Sequence, residues 1–120
     1  MTEVLNSKSY DLEERTFQFA KQVRIFVKTL PRTIALIEDI KQLVRSSGSA
    51  GANYIEANES LSKKDFAVRV KICRKEAKES AYWLRLILET NEVSADAGKL
   101  LFQEAIELKK IFSAIVEKSK

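Results

Sequence analysis

Apolar residues recur at alternating spacings of three and four along most of the chain, and this rhythm continues through seven small residues, Ser46–Ala52. Read locally, Ser-Ser-Gly-Ser-Ala-Gly indicates a loop, because a glycine inside a helix costs about 1 kcal/mol. A loop of arbitrary length would lose the helical phase, yet positions 37, 40, 44, 47, 51, 54 and 58 keep it. We therefore predict one long second helix from about Thr33 to Ser60. Its small residues would form a waist where another helix approaches closely.

The first helix is predicted to run from about Asp11 to Leu30. Asp11 and Glu14 form a plausible capping pair, and Pro31 disfavours helical conformation at the residue before it. One face is apolar over this range and is expected to enter the core: Leu12, Thr16, Phe19, Val23, Phe26 and Leu30.

Two further helices follow the same rhythm. Ser62 with Asp65 caps the third, which ends at Thr90-Asn91, and Ser94 caps the fourth. The predicted inner face of the third helix is Phe66, Val70, Cys73, Ala77, Ser80, Leu84 and Ile87; that of the fourth is Ala97, Leu101, Leu108, Phe112 and Ile115.

Short connections make consecutive helices antiparallel neighbours, so the pattern predicts an all-α, up-down-up-down four-helix bundle with a long second helix. The 120 residues suffice for one core but not for two ordinary domains. We expect residues 1–9 to form a flexible tail and residues 10–120 a single domain.

Composition excludes several functional classes. The chain has 0 His, so the carboxylate pairs on adjacent helices lack the histidines of di-metal bundle sites. No activated nucleophile or phosphate-cradling loop is present, and Cys73 lies on a predicted inner face. The sequence thus predicts no enzyme activity, no cofactor, no metal and no small-molecule substrate. Without an apolar leader, a membrane-spanning run or a second cysteine, we expect a cytoplasmic protein.

Hairpin geometry predicts polar pairs between helices. If helices two and three turn near Leu61-Ser62, Arg45 lies opposite Glu76 or Glu79, and Glu56 lies opposite Arg69. Asn53 falls near the inner face, where its amide needs partners. Similar reasoning places Arg24 near Asp39. We interpret these groups as determinants of register in the hairpin.

Several motifs at fixed offsets carry a family resemblance: Gln42-Leu43-x-Arg45-Ser46, Gly51-Ala52-Asn53-Tyr54-x-Glu56-Ala57, Ser62-x-x-Asp65-Phe66 and Lys75-Glu76-Ala77-x-Glu79-Ser80-x-Tyr82-Trp83-Leu84. From about Leu12 onward the chain resembles the bacterial four-helix-bundle family first noticed as proteins encoded in 23S rRNA intervening sequences. The accessory variability protein of diversity-generating retroelements is a related branch.

The resemblance implies a bundle that assembles as a homo-oligomer, typically a pentameric ring, with an unbroken second helix and no known enzymatic activity. For the retroelement branch it implies binding to nucleic acid and a reverse transcriptase. No residue quoted above assigns the chain to that branch.

A basic stripe on the third helix gives the sequence its sharpest functional hypothesis. It comprises Lys64, Lys71, Lys75, Lys78, Tyr82 and Arg85, roughly opposite the apolar face. Like charges three or four residues apart disfavour a helix, so such a stripe favours an anionic partner, with Tyr82 available to stack on a base. The alternative interpretation is a solvated face.

Apolar residues also stray outside the core faces of two helices: Phe17 and Ile25 on the first, and Val68, Ile72, Trp83 and Leu86 on the third. Several such residues indicate a subunit interface. The sequence therefore predicts a non-enzymatic homo-oligomeric scaffold that binds nucleic acid, as RNA, DNA or ribonucleoprotein, through helix three. The alternative is an oligomeric protein-interaction module without nucleic-acid binding.

Overall fold

The computed structural model describes the backbone of residues 2–92 and 95–120, and the side chains of residues 11–92 and 96–120. Four helices follow one another: α1 (Thr2–Val27), α2 (Ile34–Asn58), α3 (Lys63–Thr90) and α4 (Ala95–Lys118). Neighbours in sequence pack against each other, and α1 also contacts α4, which closes the predicted up-down-up-down bundle. None of the helices in the described part of the chain is apolar enough over a sufficient length to span a membrane.

The second helix runs unbroken through the small residues, as its preserved phase predicts. Thr33 caps its N-terminus by accepting a hydrogen bond from the backbone N–H of Leu36. Ser62 caps α3 in the same way, accepting from the N–H of Asp65 at 3.1 Å. The predicted cap of α4, Ser94, lies outside the described residues.

Every predicted core position of α1 is buried, but this helix begins earlier than predicted. It starts at Thr2, so Asp11 and Glu14 lie within it and do not cap it. The segment between Thr2 and Asp11 contains no glycine or proline that would stop a helix.

Three predicted core faces differ from those observed, although on α3 the difference is confined to Phe66, which is only partly buried. On α2 the fully buried positions include Leu36, Leu43, Ala50 and Ala57, whereas Ile37 is only partly buried and Asn58 is exposed. The face is therefore rotated by about one residue, because α2 packs on α1 and α3 and buries a wide stripe.

On α4, Ala97 is exposed and Gly98 is buried in its place. A Cβ at Gly98 would lie 2.5 Å from Leu88 Cδ2 and 3.0 Å from Phe26 Cζ, so the absence of a side chain lets α4 meet α3 and α1 at this level. Ile115 is only partly buried; Ala105 and Val116 complete the core face instead.

The waist of α2 has a specific neighbour. A Cβ at Gly51 would lie 3.0 Å from Thr16 Oγ1 and 3.2 Å from Thr16 Cβ, so α1 crosses α2 closely at Gly51. Thr16 is 1% exposed, and its hydroxyl donates to backbone carbonyls of its own helix at 2.9 Å. Close approach of another helix is therefore the structural role of this glycine.

Candidate nucleic-acid interface

The predicted basic residues of α3 are all exposed, along one outward face. Lys71, Lys75, Lys78, Tyr82 and Arg85 follow the four-three spacing that keeps side chains on one side of a helix, and Lys64 extends the row by two turns. We call these six residues the α3 basic face. At about 1.5 Å per residue, it is about 32 Å long.

The two carboxylates that follow Lys75 and Lys78 directly in sequence are directed to α2. Glu76 and Glu79 both accept hydrogen bonds from Arg45, with a distance of 3.2 Å from Arg45 Nη1 to Glu76 Oε2. The hydrogen bond to Glu79 raises the pKa of Arg45, and the charge of Glu76 adds to this effect. Neither acid therefore pairs with a lysine of the α3 basic face.

Lys64, Lys71, Lys75 and Lys78 form no ion pair with any described residue. Arg85 differs, because its Nε donates to Glu89 at 2.7 Å, an exposed pair one turn apart. This hydrogen bond raises the pKa of Arg85. Four lysine charges therefore stand free, and the fifth cation is already paired.

Tyr82 stands among these cations with 58% of its surface exposed. Its ring packs edge-on against Trp83, with centroids 4.9 Å apart and an interplanar angle of 79°. Trp83 thus covers one side of the phenol ring, and most of the ring remains exposed. An exposed, oriented aromatic ring among cations suits base stacking.

The predicted polar pairs are partly brought together. Arg45 meets both Glu76 and Glu79, whereas Arg69 donates to Asn53 Oδ1 at 3.0 Å. The expected Arg69–Glu56 pair is absent from the described structure, and Glu56 is exposed. Numbering gives the level of a residue along the hairpin, but the direction of its side chain around the helix axis selects the partner.

Arg24 is also displaced from its predicted partner. It donates to the carbonyls of Ala20 at 3.0 Å and Val44 at 3.5 Å, and its guanidinium covers Gly48. Residues 28–33 carry the chain further along the bundle before α2 begins, so Arg24 lies level with Val44 and not with Asp39.

Two buried or partly buried polar contacts have no clear signal in the sequence. Ser46 and Ser80 place their hydroxyl oxygens 2.8 Å apart between α2 and α3, fully buried. Arg15 forms a two-pronged ion pair with Glu104 on α4, at 2.7 and 2.8 Å, which raises the pKa of Arg15. Apolar periodicity shows which face of each helix is buried, but it does not show which polar residues of two different helices meet.

The stray apolar residues divide into two groups. Phe17, Ile25 and Val68 are 60%, 47% and 50% exposed, whereas Ile72, Trp83 and Leu86 are partly buried. Phe17 and Ile25 line a groove of about 610 Å³ between α1 and α2, whose lining on α2 includes Gly48, Gly51 and Ala52. The small residues thus shape a surface as well as a helix crossing.

Comparisons with known proteins agree with the fold. A family model described as 23S rRNA-intervening sequence protein matches residues 8–114. A crystal structure of a protein of unknown function from the S23 ribosomal protein family of Bacteroides thetaiotaomicron VPI-5482 superimposes with a TM-score of 0.77. The two chains share 28% identity, over 88% of this chain and 97% of the other. No curated protein matches the chain.

Proposed function

The chain belongs to the 23S rRNA-intervening sequence protein family. From the α3 basic face we propose that it is a non-enzymatic, self-associating cytoplasmic scaffold that binds nucleic acid, with RNA as the principal ligand. The observation that carries this proposal is the row of four exposed lysines on one helix face, none of which pairs with a carboxylate in the described part of the chain. Phosphates bound there would release counterions and relieve the repulsion between neighbouring lysines.

The surroundings of the row support the same proposal. Arg45 holds Glu76 and Glu79 on the α2 side, so an approaching phosphate meets lysines without competing carboxylates from the middle of α3. Tyr82 adds an aromatic surface, and stacking of one base contributes about 1–3 kcal/mol. Contacts of this kind bind the backbone and bases with little sequence preference.

The test is fluorescence anisotropy of a labelled 30-nucleotide single-stranded RNA titrated with protein at low and moderate salt. We expect binding that weakens steeply with salt and is lost when Lys71, Lys75, Lys78 and Arg85 are replaced by Glu. The double variant Lys71→Glu/Lys78→Glu should already bind at least about tenfold more weakly.

A matched control is available on α4, where Lys99 and Lys110 are also exposed. Lys99→Glu/Lys110→Glu changes the net charge by the same amount but leaves the α3 basic face intact, so it should bind RNA far better than the α3 double variant. Absence of binding by the unmodified protein at low salt would refute the nucleic-acid proposal. The exposed apolar groove between α1 and α2 would then favour the alternative, an oligomeric protein-interaction module.

A further inference from the structure

The groove between α1 and α2 is apolar at its centre and basic along one side. Phe17, Ile25 and Ile55 are between 47% and 60% exposed there. Lys21, Arg24 and Lys28 stand on α1 along the same groove, and Glu13 lines the end away from Lys28, where it accepts a hydrogen bond from Asn58. An occupant that fits this surface presents an apolar ridge with acidic neighbours.

The chain itself carries such a ridge on α4. Leu100 is 72% exposed, and Asp96, Glu104 and Glu107 lie within about 40° of it around the helix axis at 100° per residue. Asp96 and Glu107 are exposed and form no ion pair with any described residue. The α4 ridge (Asp96, Leu100, Glu107) therefore complements the groove in both apolarity and charge.

The levels of the two surfaces along the bundle also agree. Gly98 of α4 lies beside Phe26 of α1, so Leu100 and Ile25 lie within about one helical turn of the same level. Asp96 then lies near the level of Lys28, whereas Glu107 lies near the level of Phe17, about one turn beyond Lys21. Copies related by rotation about an axis parallel to the bundle bring residues of equal level together.

Other pairings of surfaces fit less well. Groove against groove would oppose two rows of cations, and so would groove against the α3 basic face. Glu56, Glu59 and Asp65 form another acidic cluster, but it lies at the α2–α3 turn, at the opposite end of the groove from Lys28.

We propose that the α4 ridge of one copy of this chain docks in the α1–α2 groove of the next, in a head-to-tail contact that buries Leu100 beside Ile25. The contact is heterologous, so each copy offers both surfaces and further copies add until the assembly closes. This inference rests on the self-association in the proposed function and specifies the surfaces that carry it.

Charge reversal tests the contact by sedimentation velocity over a range of protein concentrations. Lys21→Glu/Lys28→Glu and Asp96→Lys/Glu107→Lys should each raise the dissociation constant of self-association at least about tenfold, and combining all four should restore much of the loss. Lys63→Glu/Lys118→Glu carries the same charge change as the first pair but involves exposed residues outside the groove, the α4 ridge and the α3 basic face, so it should assemble like the unmodified chain. Circular dichroism checks that each variant remains helical.

A cysteine experiment tests the geometry without altering charge. The natural thiol, Cys73, is fully buried, so added surface cysteines are the reactive ones. Oxidised Ile25→Cys/Leu100→Cys should give a ladder of cross-linked copies, and a mixture of the two single variants should give cross-linked dimers. Either single variant alone should remain uncross-linked.

The outcomes separate the two proposals. If the unmodified chain is monomeric at all concentrations, the self-association in the proposed function is wrong, and the head-to-tail contact with it. If it assembles but the groove and ridge variants assemble equally well, self-association stands and this contact is overturned. RNA binding by the α3 basic face is measured independently of both results.

Discussion

Alanine at Gly51 and alanine at Gly48 make the same chemical change one turn apart on α2, but the two positions have different neighbours. Both glycines have negative φ angles, so each replacement gains about 1 kcal/mol of helix propensity. At Gly48 the new methyl group meets Arg24 Nη2 at 3.2 Å, the end of an exposed side chain that can move away. Gly48→Ala should therefore stabilise the fold by about 0.5–1 kcal/mol.

At Gly51 the new methyl group meets buried Thr16, whose hydroxyl is already bonded to its own helix. Either Thr16 rotates and loses these bonds or α1 moves outward, and overpacking of this kind costs about 1–3 kcal/mol. Set against the propensity gain, Gly51→Ala should range from neutral to about 2 kcal/mol less stable than the unmodified chain, and about 1–3 kcal/mol less stable than Gly48→Ala.

Urea unfolding followed by circular dichroism at 222 nm measures the difference. All three proteins must be compared at one concentration, because self-association adds to apparent stability. Equal m-values would show that the denatured states expose similar surface. Equal stabilisation by the two alanines would refute the role of Gly51 in bringing α1 close to α2.

Three further changes test other parts of the fold. Arg45→Ala should lower the free energy of unfolding by about 1–3 kcal/mol, because the Glu76 side chain, only 10% exposed, loses its partner. Arg69→Ala removes a hydrogen bond to Asn53 on the surface and should lower it by less than about 1 kcal/mol. Equal urea midpoints for the two variants would contradict this ranking. Ser62→Ala should cost about 1 kcal/mol by removing the α3 cap, whereas Ser119→Ala, near the C-terminus, should be nearly neutral in the same unfolding assay. Burial raises the pKa of the Cys73 thiol from 9.0 to about 12, so the thiol should resist a disulfide reagent at pH 8 until urea unfolds the chain, and rapid labelling of the native protein would contradict its burial. Because the pKa is higher in the folded state, the stability contributed by the neutral thiol is present below pH 9 and is lost as the pH rises toward 12.

Helix number, connectivity and most of the core follow from periodicity and capping. The waist of α2 shows why: local propensity favours a loop there, but the phase of the apolar residues reports tertiary packing, which is the stronger effect. The predicted core face of α2 is nevertheless displaced by about one residue from the observed face. A helix that packs on two neighbours buries a wide stripe, and the positions of both neighbours determine the centre of that stripe. On α4, Ala97 and Gly98 exchange roles because close contact with Phe26 and Leu88 leaves no space for a side chain.

Pairwise contacts were less accessible from the sequence. The Arg45 contacts with Glu76 and Glu79 match the expected level in the hairpin, but Arg69 selects Asn53 because Asn53 faces the α2–α3 seam and Glu56 faces solvent. The predicted Arg24–Asp39 pair is wrong because it assumed a tight turn at Pro31. Residues 28–33 instead extend along the bundle, and their composition does not indicate that course. The exposure of the α3 basic face follows directly from the helical period, whereas the pairing of Glu76 and Glu79 away from its lysines depends on Arg45 in a different helix.

The salt dependence of RNA binding tests the central claim most directly. Four lysines of the α3 basic face are unpaired among the described residues, so a plot of log K against log salt concentration should have a slope of about −3, since each neutralised phosphate of a single strand contributes about 0.7. Replacing Lys75 alone by Gln should reduce the slope by about 0.7, and the Lys71, Lys75, Lys78 and Arg85 to Glu variant should show almost none. A slope that is the same for the unmodified chain and these variants would contradict the account, as would a lack of RNA binding at low salt.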